Sequence, residues 1–217
     1  AGEIPDDGNQ DETLAKNDFY YFWRNIGRAV EGTTTRGRWG LGKTVFQAAS
    51  KINSFFGLTV RQDETRRLLM GQSVLKIHRV NGQRYAPYGY YGRFEDDFAL
   101  PVEDPEHIDQ FCSDFSISRS LQPGLSVLIP YPDDEIEIES VIRSVINQYF
   151  FPILSGDLAV TIAGGAHRQD LDEKNLFTYI ESTDWPDRKA LIRRLEFAKW
   201  CLAQTEADLV QLKEPPE

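Results

Sequence analysis

The stretch best equipped for chemistry is Gly37-Arg38-Trp39-Gly40-Leu41-Gly42-Lys43-Thr44, which leads straight into the apolar-patterned run Val45–Phe56. Glycines let a backbone turn tightly and come close to an anion with no Cβ in the way. If the run that follows is a helix, its first N–H groups have no partner within it and point at that anion. The aligned peptide dipoles then add partial positive charge at the same end. Lys43 adds a full positive charge. The chemistry this predicts is capture of a phosphate by main-chain amides, with all eight residues Gly37 to Thr44 lining the cradle.

The string also satisfies the P-loop pattern of Gly, four residues, then Gly-Lys-Thr. That motif must leave a buried hydrophobic strand, and a second such strand must end in a magnesium-binding Asp. Here the preceding residues Glu31 to Arg36 form a polar, Thr-rich loop. Ser126–Ile129 runs into Pro130 and Tyr131, and Leu158–Ile162 runs into Ala163-Gly164, so neither strand end carries the acid.

The elements that must position the box are readable from spacing. Phe19, Phe22, Trp23, Ile26 and Val30 recur at helical intervals, with Asn17 or Asp18 as a cap and Gly32 as a stop. A second helix is expected from about Lys43, with Val45, Ala49, Ile52 and Phe56 on one face and Gly57 at its end. Strands follow at Phe56–Arg61 and Arg67–Val80, then the hairpin dipeptide Asn81-Gly82 leads to Tyr85–Phe94. A short strand is expected in Asp97–Val102, a helix from Asp104-Pro105 to about Phe115, and a buried strand over Gly124–Pro130. Pro132–Glu135 opens a helix carrying Ile138, Val141, Ile142, Val145 and Tyr149; Leu158–Ile162 is a strand, Gly164-Gly165 a joint and Pro186–Thr205 a last helix. This order predicts an α+β fold, a two-layer sandwich with helices on one face of a mixed or mostly antiparallel sheet.

A helix, a Gly/Thr loop, a Gly-x-x-Gly-x-Gly box, a helix and then antiparallel strands together resemble the second half of the GHKL (Bergerat) ATP-binding fold. Gly37, Trp39, Gly40 and Gly42 match that family's Gly-x-Phe-Gly-x-Gly box, with Trp39 in the aromatic slot. Gly124-Leu125-Ser126-Val127-Leu128-Ile129 and the helix after it resemble the family's Gly-Thr-x-Val-x-Ile return, with Leu125 in place of Thr. The resemblance implies ATP and Mg2+ as ligands, loop 31–38 as a mobile lid, and nucleotide-dependent dimerisation or partner coupling. The family's water-polarising Glu, its magnesium-holding Asn and its Asp-x-Gly-x-Gly adenine box are not matched in this chain; Asp6-Asp7-Gly8-Asn9-Gln10 comes nearest and has no second Gly. The N-terminal half of the nucleotide site is therefore expected on another segment, and the opening at Ala1 suggests a piece of something longer. The organisation read on this basis is an acidic arm (1–16), a partial ATP-binding domain (17–163), and a linker with a helical extension (164–217).

Composition frames these readings. The chain has 217 residues and a net charge of −10, yet Arg36 to Arg93 holds eleven Lys/Arg against two acids. An anionic partner for that basic middle is expected, and nucleic acid is the second candidate after ATP. Arg84–Phe94 is basic and aromatic, which suits either stacking on bases or an edge strand whose tyrosines pack. No run reaches the roughly 18 uncharged apolar residues of a membrane span, so no membrane partner is expected. Cys112 and Cys201 are too few for a disulfide framework and point to a reducing cytoplasm. His78, His107 and His167 have no ligand spacing, and Asp133-Asp134-Glu135 reads as a helix start and not a metal site.

Overall fold

The computed structural model of the chain describes residues 22–23, 42, 44–62, 66–96, 98–205 and 208. It divides into two compact units, Ala1–Asp133 and Asp134–Glu217. The division cuts the 17–163 stretch that the sequence groups together.

The first unit is built on four antiparallel strands in the order β5-β2-β1-β8: β1 (Ser54–Val60), β2 (Arg67–Val74), β5 (Tyr88–Tyr91) and β8 (Gly124–Leu128). The class is α+β, as expected, and every ladder in the described residues is antiparallel. The helical cover differs from the expected single layer. Phe55 and Met70 point to one sheet face, where Trp23 and Phe46 pack on them. Leu58 and Leu69 point to the other, where Ile108 and Phe111 of α2 (Pro105–Asp114) pack. Both faces are therefore covered, which explains why β1 is buried or half-buried at every position and does not alternate with exposed ones.

The helix expected over 43–56 is only α1, Thr44–Ala48. It ends where its next main-chain groups pair elsewhere: Lys51 N–H donates to the Tyr131 carbonyl and the Ala49 carbonyl accepts the Asp133 N–H, while the Ser50 hydroxyl accepts the Ile52 N–H at 3.3 Å. Asn53 then takes φ 49°, a left-handed conformation that Asn tolerates. Ser-Phe-Phe-Gly-Leu-Thr-Val is rich in aromatic and β-branched residues and goes to the sheet as β1.

Arg67–Val80 is likewise two strands, β2 and β3 (His78–Val80), and Tyr85–Phe94 is divided among β4 (Gln83–Tyr85), β5 and β6 (Arg93–Glu95). Pro87 has no N–H to give, so the ladder between β2 and β5 stops at the Val74–Tyr88 pair. Leu75 N–H still donates to the Pro87 carbonyl at 2.6 Å, and pairing resumes at His78–Tyr85. Asn81 and Gly82 both take positive φ, 50° and 82°, as the two-residue turn requires. The strand expected in 97–102 is β7 (Phe98–Leu100), paired with β6. The helix expected after Asp104-Pro105 is α2, whose Asp104 carboxylate accepts the His107 N–H at 2.8 Å.

The second unit has its own core. Ile142, Ile146 and Ile153 of α3 (Ile138–Leu154) meet Leu176 and Ile180 of α4 (Leu176–Ser182) and Leu191 and Leu195 of α5 (Arg188–Leu202). The α3 start moves from the expected Pro132–Glu135 to Ile138. The hairpin of β9 (Val160–Gly164) and β10 (His167–Leu171) packs Leu171 into the same core, turning through Gly165 at φ 57°.

Arg143 of α3 donates to Asp187, the residue before α5, at 2.8 Å. That hydrogen bond and charge hold the Asp187 carboxyl below the usual carboxylate range. A carboxyl whose folded pKa is depressed stabilises the fold above its unfolded value, about 3.9, and loses that contribution as pH falls through the folded one. Asp187→Asn is therefore expected to lower the melting temperature at pH 6, with the gap from wild type shrinking as pH falls below about 3.9. A gap that does not shrink would remove this role.

Candidate functional site

Of the eight residues expected to form the cradle, Gly42 and Thr44 fall among the described residues; Gly37, Arg38, Trp39, Gly40, Leu41 and Lys43 lie outside them, as does the expected lid. Gly42 is an exposed turn residue whose carbonyl accepts the Val45 N–H at 3.5 Å. Among the described residues, a Cβ built on Gly42 would meet no atom within 4 Å. No described residue blocks the approach to this backbone from that side. Thr44 begins α1 directly afterwards.

One side chain fixes α1 on the sheet. Phe46 lies 5.5 Å from the ring of Phe55, which is fully buried, and 6.4 Å from Phe22. Trp23 stacks on the other side of Phe55 at 5.0 Å, over Gly57, where a Cβ would come 3.0 Å from the indole. Beyond the helix, Lys51 N–H donates to Tyr131 O and Asp133 N–H to Ala49 O, both at 2.9 Å. These bonds tie the segment after the box to the segment after β8. With five residues, however, α1 aligns few peptide dipoles, so the main-chain charge at its start is smaller than a helix over 45–56 would supply.

Gln47 is a feature of α1 that spacing did not single out. Its Oε1 is buried with no hydrogen-bond donor among the described residues. An unmade bond of this kind costs about 1–3 kcal/mol, which a donor brought by a ligand would recover.

Among the described residues, arginines of the basic middle meet acids. Arg66 makes a two-point bond to Glu103 (2.8 and 2.9 Å), Arg67 reaches Asp109 at 2.6 Å and Arg93 pairs with Glu95. Two of the tyrosines pack as edge-strand residues do: Tyr90 joins the Trp23 cluster, and Tyr91 meets Phe56 at 5.4 Å and bonds His107 through its hydroxyl. Burial pushes the Tyr91 hydroxyl above its ordinary pKa. It also pushes the Cys112 thiol up, opposed by the nearby Arg67, which makes this sulfur a poor nucleophile.

Among the described residues no group of His, Cys, Asp and Glu is placed to hold a metal ion. Nor is any helix among them long and apolar enough to cross a membrane. No family model, curated protein or solved structure matches the chain.

Proposed function

We propose that this chain is part of a GHKL-type ATP-binding module, with the phosphate end of ATP–Mg held by residues Gly37 to Thr44 and the loop 31–38 acting as lid, in a cytoplasmic setting. The observation that supports this reading best is the exposed backbone of Gly42, which no described residue covers, beside a helix that Phe46 pins to the sheet. The unpartnered Gln47 oxygen on the same helix agrees with a ligand at this place. A P-loop reading of the same string is less well supported. That motif joins a strand to a helix in its Gly-rich turn, whereas α1 has five residues and the ladders around it are antiparallel.

The family's water-activating Glu and Mg2+-holding Asn are not matched in this sequence, so in this reading they come from another segment of the protein. In this arrangement the chain binds the β- and γ-phosphates and takes no proton itself.

The reading is tested by titrating ATP–Mg into the full-length protein and into its Gly42→Val/Lys43→Ala variant by calorimetry. Valine at residue 42 meets no described neighbour, so the variant should fold. Its Kd is expected to rise at least tenfold, about 1.4 kcal/mol. An unchanged Kd would remove the site from this segment.

A further inference from the structure

Between Glu64 and Glu95 the sequence has six Lys/Arg and no acid. Arg66, Arg67 and Arg93 are neutralised by Glu103, Asp109 and Glu95. Of the other three, Arg79 and Arg84 lie on the β3–β4 hairpin past the Pro87 break and Lys76 in the link that leads to it from β2. None of the three has an ion-pair partner among the described residues.

The register sharpens this. Arg79 stands directly opposite Arg84, so both side chains leave the same face of the ribbon, about 5 Å apart at Cβ. Like charges placed so destabilise a hairpin, and both residues are exposed. The opposite face carries His78 and Tyr85 with their rings stacked at 5.5 Å and 15°, beside an exposed Val80.

We propose that the β3–β4 arm binds nucleic acid, with Arg79 and Arg84 holding adjacent phosphates and Lys76 adding a third contact. A polynucleotide presents evenly spaced phosphates for the guanidinium face together with bases and sugars for the Tyr85 face. A two-stranded ribbon is also narrow enough to enter a groove. An acidic peptide matches the first face alone. The proposal concerns a different segment from the glycine box and stands whether or not ATP binds there.

Fluorescence anisotropy of the full chain with a duplex of about 20 base pairs, and with one of its single strands, over a range of salt concentrations tests it. Wild type is expected to bind with affinity falling steeply as salt rises. Arg79→Gln/Arg84→Gln is expected to weaken binding at least tenfold at low salt and to reduce the log–log salt slope by about 1.8, two phosphate contacts' worth. Preference for the single strand would assign bases to the Tyr85 face, and equal affinity would assign the contact to phosphates alone; both support the proposal. Because both arginines are exposed and their mutual repulsion is removed, the variant should keep its circular dichroism spectrum and melt no earlier than wild type, which separates lost contact from lost fold. Absence of binding to either polynucleotide at low salt, or an unchanged slope in the variant, overturns it. So does binding of a synthetic peptide of residues 1–18 in place of nucleic acid, which would assign the arm to the protein's own acidic segment.

Discussion

Phe55→Ala is expected to cost the first unit about 4 kcal/mol, roughly a thousandfold in its ratio of folded to unfolded molecules. The ring is fully buried, with Trp23 stacked on one side at 5.0 Å and Phe46 and Phe22 at 5.5 and 6.2 Å. Three rings that now touch a fourth would border a void, and aromatic side chains locked in a sheet core close such voids poorly. The same change removes the floor under Phe46, so α1 loses its anchor. Urea unfolding followed by tryptophan fluorescence reads the loss. Phe55→Leu should fall between the two proteins. A shift of less than about 1 kcal/mol in Phe55→Ala would mean that the cluster does not hold this unit together.

Gly92→Ala is expected to be nearly as damaging, about 3 kcal/mol, for a different reason. Gly92 joins β5 to β6, and a Cβ there would fall onto the Leu100 carbonyl oxygen of β7. That oxygen belongs to the main chain, so relief requires moving β7 away from β6 and breaking the Arg93–Leu100 pair. Gly89→Ala, three residues earlier, is the matching control. Its Cβ would rest 3.8 Å from Ser73 Cβ, an ordinary contact, and removing a strand glycine is then neutral or stabilising by about 0.5 kcal/mol. Thermal melts of the two variants should separate widely. Equal melting temperatures would show that the chain can rearrange around position 92.

Local signals in the sequence were read well where one residue type forces one conformation. Asn81-Gly82 produced its hairpin, and Asp104-Pro105 its capped helix. Ile142, Ile146 and Ile153 of α3 and Leu191 and Leu195 of α5 lie on buried faces because their spacing leaves no other face for them, whereas Tyr149 and Leu202, expected on the same apolar faces, are exposed. The reading failed where two periodicities overlap. Val45, Ala49, Ile52 and Phe56 satisfy a helix, but Ser54–Val60 satisfies a strand, and the sheet, which buries both faces of that strand, takes the residues they share. The seven-residue α4 was missed because Leu176 and Ile180 alone make too short a pattern to register. At the candidate site, the glycine box is visible as a string, whereas the orphaned Gln47 oxygen depends on packing no string records. The arm shows the same limit. Arg66 meets an acid 37 residues away and Arg67 one 42 residues away, so only coordinates reveal which cations of the basic middle remain unneutralised.

The two hydrophobic clusters that flank the β1–β2 sheet share no residue with the cluster of α3, α4 and α5. A polypeptide with separate interiors need not melt as one cooperative block, because each interior carries its own balance of buried area against chain entropy. Hydrogen exchange should then sort the amides into two families of protection, one for each interior, and a lesion such as Phe55→Ala should lower one family and spare the other.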